Sequence, residues 1–138
     1  MQDFKILEHK ADAKFQTYGK NLEEAFENAG KALFSVMTDL EKIGLEKEVS
    51  FVIEAESREA LLYEFLDHLI YLKDVENAVF KGFKVNIEKE KEQYRLEAAV
   101  KGRKIEEINV KDAKAMTYSE MEIREGEEGF TLQAVVDM

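Results

Sequence analysis

The hydrophobic period of this chain switches between two and 3.6, and that alternation constrains its fold more than any other feature. Phe4-Lys5-Ile6-Leu7 and Lys14-Phe15-Gln16-Thr17-Tyr18 read as short strands, the second closed by Gly19. Leu22, Ala25, Phe26, Ala29, Leu33, Val36, Met37 and Leu40 then fall on one face of a helix. Asn21 is placed to cap it, and Glu24 three residues later completes a capping-box-like signature. Gly30 costs such a helix about 1 kcal/mol relative to Ala, which points to close packing there. After Gly44 the period returns to two over Val49 to Ala55. Ser57 then caps a second helix, with Leu61, Leu62, Phe65, Leu66, Leu69, Ile70 and Leu72 on its apolar face. Glu59, Glu64, Asp67 and Lys73 are expected on its solvated face.

The remainder alternates in the period-two manner. Val79 to Glu88 and Tyr94 to Val100 predict a hairpin whose charged tip is Lys89-Glu90-Lys91-Glu92-Gln93. Met116 to Ile123 and Phe130 to Val136 predict a second, around Arg124-Glu125-Gly126-Glu127-Glu128-Gly129. Gly102 to Ala113 fits no single element. The order β-β-α-β-α-β-β-β-β predicts an α+β fold, with two helices packed on a mostly antiparallel β-sheet. At 138 residues the chain suits a single domain, 1–138, that buries roughly two-thirds of its unfolded surface.

Composition removes several kinds of chemistry. There is no Cys, so no disulfide, thiolate zinc site or thiol nucleophile can form, and two His leave little nitrogen for a transition metal. Ser35, Ser50, Ser57 and Ser119 lack the context of a nucleophile elbow, and His68 falls at the polar boundary of the second helix. Apolar stretches are far short of the ~20 residues of a membrane span. Met1-Gln2-Asp3-Phe4 is not a secretory leader, so the expected location is the cytoplasm. Twenty Lys and Arg against 30 Asp and Glu give a net charge of −10, which repels phosphates, so any contact with RNA is expected to be indirect. The 36% of charged residues, mostly Glu and Lys, is a thermophile's pattern, although the absence of Pro is not.

Carboxylates are what remain, and most of them are solvated surface charge. Two are placed differently. Asp12 lies in the connection between the first two predicted strands. Asp137 follows the strand from Phe130 to Val136, and because Phe130, Leu132, Ala134, Val136 and Met138 share one parity, it projects to the opposite, more polar face. Met138 adds its α-carboxylate. If the Asp12 turn lay beside them, three oxygen donors would converge on a hard cation of the calcium or magnesium type. The alternative is a turn-capping Asp12 and a frayed end.

Several short words, in order along nearly the whole chain, resemble the archease family. They are His9-Lys10-Ala11-Asp12, Tyr18-Gly19, Leu22-Glu23-Glu24-Ala25-Phe26, Met37-Thr38-Asp39, Leu61-Leu62-Tyr63-Glu64-Phe65-Leu66 with Tyr71-Leu72, Lys114-Ala115-Met116-Thr117-Tyr118 and Val135-Val136-Asp137-Met138. Two positions depart from the family's pattern: Lys10 replaces the usual Thr, and Ser119 stands where many members carry His. The resemblance implies an accessory protein, not an enzyme, that activates the RtcB-type tRNA-splicing RNA ligase. It promotes guanylylation of that ligase with GTP and manganese, permits multiple turnover, and broadens the nucleotides accepted. It also implies a divalent-metal site at Asp12, Asp137 and the Met138 terminus. That metal is usually calcium, with magnesium or manganese as alternatives. His9 would orient the Asp12 loop, and Lys114 would contact partner or phosphate. Two rival functions remain: a general chaperone or modulator of nucleic-acid-processing proteins, and a small metal-dependent hydrolase.

Overall fold

A computed structural model of the chain describes residues 2–7, 12–105 and 110–138. Two strands, β1 (Phe4–Leu7) and β2 (Asp12–Gly19), precede helix α1 (Leu22–Ser35). Strand β3 (Lys47–Ala55) leads to helix α2 (Arg58–Glu76), followed by β4 (Ala78–Glu90), β5 (Gln93–Lys104), β6 (Ala115–Gly126) and β7 (Gly129–Asp137). The strands form two sheets, β1-β2-β7-β6 and β3-β5-β4, in which every pairing is antiparallel. The expected antiparallel surface is thus divided in two. Each helix touches both parts: α1 packs on β2, β7 and β4, and α2 on β6 and β3.

Both helix starts follow the sequence. The Asn21 side chain accepts the Glu24 N–H at 2.8 Å, and the Glu24 carboxylate accepts the Lys20 N–H at 3.1 Å. Ser57 Oγ accepts the Ala60 N–H at 3.0 Å. The end of α1 does not. The apolar period predicts helix through Leu40, but α1 stops at Ser35, whose hydroxyl donates to the Ala32 carbonyl. The N–H groups of Met37 and Thr38 both turn onto Phe34 O, and Asp39 caps a separate 3₁₀ turn, Leu40–Lys42. Met37 stays buried after the helix ends, so its apolar spacing reports burial, not helix.

The core is built from Phe15, Phe26, Phe34, Phe65 and Phe80 with the leucines of both helices. Gly30 has its packing reason: a Cβ there would stand 2.7 Å from the Phe83 ring, which in turn stacks on Phe34. Both hairpin tips are tighter than expected, turning at Lys91-Glu92 and at Glu127-Glu128. Gly102 to Lys104 extends β5, and the following Ile105 N–H bonds Asn77 O. Among the described residues, no helix is long and apolar enough to cross a membrane.

Lys73 requires a correction. Expected on the solvated face of α2, it is 5% exposed, because its ammonium is turned onto Asp112 at 2.8 Å and Asp74 at 3.0 Å. Burial opposes its charge, but the hydrogen bonds it donates to Asp112 and Asp74 outweigh that cost and its pKa is raised.

Candidate functional site

The site is built where the β2–β7 ladder ends. Asp12 is not in a turn but is the first residue of β2, directly opposite Asp137. Opposed residues in an antiparallel ladder share a face, with Cβ atoms about 5 Å apart. Phe15 pairs with Ala134 and is buried, whereas Lys14, Gln16 and Gln133 lie on the other face with the two aspartates. The parity read from the sequence therefore holds: Asp137 is exposed on the outer face and Val136 is buried.

The third strand reaches the same point from the other side. Ala115 pairs with Asp137, and the Lys114 N–H donates to the Asp137 carbonyl at 2.8 Å. Asp12, Asp137 and the Lys114 backbone thus stand in one row across three adjacent chain segments. Lys73 holds Asp112, two residues before Lys114, and the Lys111 N–H bonds Met37 O. The approach to Lys114 is tied at both points.

The outer face beside this row is organised by a bulge that the sequence did not reveal. Between Thr117 and Glu122 the β6–β7 register shifts, and Glu120 takes a positive φ of 59°. Glu120 accepts Lys14 Nζ at 2.9 Å through its carboxylate and Gln133 Nε2 at 2.8 Å through its carbonyl. The bulge therefore reaches across the ladder above Val135, which is buried although its parity is that of the polar face. The only available signal was Val135 itself, an apolar residue out of step with its strand.

Of the sequence-predicted residues, the structure brings together Asp12, Asp137 and Lys114, with half-buried Met138 next in the chain. His9 lies outside the described residues. Among the described residues, no three His, Cys, Asp or Glu side chains converge on a common point suited to a metal. The donor set here is two carboxylates, all oxygen, which suits a hard divalent cation once further oxygens are supplied. Two aspartates directly opposed also repel, and a cation between them would offset that. His68 is at the boundary, as its position predicts: its ring lies 4.4 Å from Phe51 and 5.5 Å from Tyr71, and burial lowers its pKa. An open cavity of about 820 Å³, lined in part by Tyr18, Gly129 and Phe130, lies at the opposite end of the ladder.

Two helices on divided antiparallel sheets make this a small α+β protein, and comparison places the chain in a family. It belongs to the Archease protein family (MTH1598/TM1083), which it matches over residues 4–138. The archease of Methanosarcina barkeri is 37% identical, over 99% of this chain and 97% of that protein. That of Pyrococcus furiosus is 40% identical over 89% of each. The solution structure of Methanobacterium thermoautotrophicum protein 1598 superposes with a TM-score of 0.89 at 35% identity, covering both chains fully. The crystal structure of a Thermotoga maritima archease, described as a possible chaperone, shares the fold with a TM-score of 0.63 at 21% identity. It matches 97% of this chain and 96% of its own.

Proposed function

We propose that this chain is an accessory protein with no reaction of its own, and that it activates an RtcB-type RNA ligase by promoting its guanylylation. Its working end is the Asp12–Asp137 corner, where the two side chains and the α-carboxylate of Met138 would hold a divalent cation, calcium in the first instance. The observation that carries this reading is the register: residues 125 positions apart in sequence are direct neighbours on one face. Family membership supports the ligase as partner, since the words that resemble the family include both aspartates and Lys114.

The cation would supply concentrated positive charge between the two carboxylates. The chain's own contribution is placement. The β2–β7 ladder holds the two aspartates opposite each other, the Lys114 N–H bonds Asp137 O, and Lys114 is assigned the contact with a partner or phosphate. His9 is assigned the orienting of Asp12. With a net charge of −10 the protein is drawn to a basic RNA-binding cleft, not to RNA, and its association is salt-sensitive. The cytoplasm is the location this reading implies.

The test is guanylylation of a purified RtcB-type ligase with GTP and manganese, with and without this protein. Stimulation by the wild type that Asp12→Ala and Asp137→Ala abolish, both variants remaining folded, supports the reading. No stimulation of a competent ligase overturns it. A second reading, favoured by the description of the Thermotoga structure, is a chaperone for unrelated proteins. It predicts protection of unrelated clients from aggregation with no dependence on Asp12.

A further inference from the structure

Helix α2 is apolar on more than one side. Its inward face is sealed by leucines, yet Tyr71 and Val75 are 55% and 57% exposed on its outward face. Tyr63, Asp67, Tyr71 and Val75 repeat at four-residue spacing and so form one row about 18 Å long. Tyr118 comes from the β6 bulge, is 54% exposed, and stacks on Tyr63 with centroids 4.2 Å apart and rings nearly parallel at 9°. Of the six large hydrophobic residues exposed among the described residues, three lie on this one surface. A helix with apolar residues beyond its core stripe is a helix that has something else to cover it.

The charge around the row says what. Asp67 lies within it and Glu64 beside it; burial first, then the negative fields of Asp67, Tyr118 and Glu64, raise the Tyr63 pKa. The nearest lysine of the helix, Lys73, does not neutralise this face, because it is buried against Asp74 and Asp112. Tyrosine faces interleaved with carboxylates suit Lys and Arg side chains, whose stems pack on rings and whose charges meet both π-faces and carboxylates. Phosphates and a second copy of this acidic chain are repelled by the same charges. Tyr118 is three residues from Ala115, the partner of Asp137, so one strand runs from the acidic corner to this surface.

We infer that the outward face of α2 with Tyr118 is a docking surface for a basic, Lys/Arg-bearing surface of the protein partner. The inference rests on the proposed function in one respect, that the partner is the ligase. The surface gives affinity and the acidic corner gives the effect. The two are separable in one experiment, in which the protein is titrated into an RtcB-type ligase and both binding and guanylylation are read. Tyr71→Ser combined with Tyr118→Ser is expected to weaken binding about tenfold or more, with stimulation recovered at saturating protein. Asp67→Lys is expected to weaken it similarly, while Tyr71→Phe with Tyr118→Phe retains it. Asp12→Ala should bind normally and fail to stimulate.

If the wild type binds and stimulates but the double-Ser variant and Asp67→Lys bind as tightly, the docking surface is wrong and the proposed function stands. If the wild type neither binds nor stimulates a competent ligase, both fall. Self-association, or RNA binding, that the double-Ser variant abolishes would assign the face to another occupant and overturn the inference.

Discussion

Lys73 Nζ lies 2.8 Å from Asp112 Oδ1 and joins the last turns of α2 to the segment that delivers Lys114 to the acidic corner. The ammonium is buried while the Asp112 carboxylate is largely exposed, so the two partners are not equivalent. Removing a partner from a buried charge is costly, whereas replacing the charge by an apolar side chain of similar volume is often neutral. Asp112→Ala should therefore lower the thermal midpoint, and Lys73→Met should leave it unchanged or raise it. Lys73→Met should nonetheless loosen the segment around Lys114 and show faster amide exchange there. Calorimetry and hydrogen exchange on the two variants check both halves.

Acid should act on this fold in two separate windows. Burial lowers the His68 pKa, so the unfolded chain binds a proton more readily, and stability present above the ordinary His value of about 6.5 is lost as pH falls through the folded one. Nearby Asp67 and Glu64 oppose this without reversing it. The hydrogen bonds from Lys73 to Asp112 and from Lys47 to Glu76 hold both carboxyls below their usual range. Their contributions are present above about pH 4 and disappear as pH drops through the lowered values. Thermal midpoints should decline between pH 7.5 and 5 in the wild type, less so in His68→Gln. The further loss below pH 4 should be common to both.

Glycine substitutions should separate two kinds of close approach. A Cβ on Gly102 would run into the backbone of Val79 and Phe80, which is itself held in the β4–β5 ladder beside a bulge. Gly102→Ala should cost about 3 kcal/mol, since nothing in its path can rotate away. At Gly30 the obstacle is the Phe83 ring, and the helix gains about 1 kcal/mol of propensity from Ala. Gly30→Ala should cost a net of about 1 kcal/mol, and Phe83→Leu in the same chain should restore most of that. Denaturant unfolding of the three variants orders these effects.

Local signals in the sequence carried the elements, and long-range ones were hidden. The caps at Asn21 and Ser57, the apolar faces of both helices, and the outward parity of Asp137 all depend on neighbours within one or two turns or along one strand, and the structure has them as read. The end of α1, the division of the strands into two sheets and the bulge at Tyr118 to Met121 depend on contacts far apart in sequence. Met37 looked helical because it is buried, and Lys73 looked solvated because its two acidic partners were not recognisable as such. Asp12 and Asp137 were each conspicuous, but that they face each other required the β2–β7 register.

Calorimetric unfolding with and without calcium tests most directly the claim that this acidic pair is a cation site. The wild-type midpoint should rise with calcium, by an amount equivalent to about 2.7 kcal/mol at a hundredfold excess over the dissociation constant. Asp12→Asn with Asp137→Asn removes both carboxylates while keeping their size. That variant should not respond to calcium. A wild-type midpoint indifferent to calcium, magnesium and manganese would contradict the account.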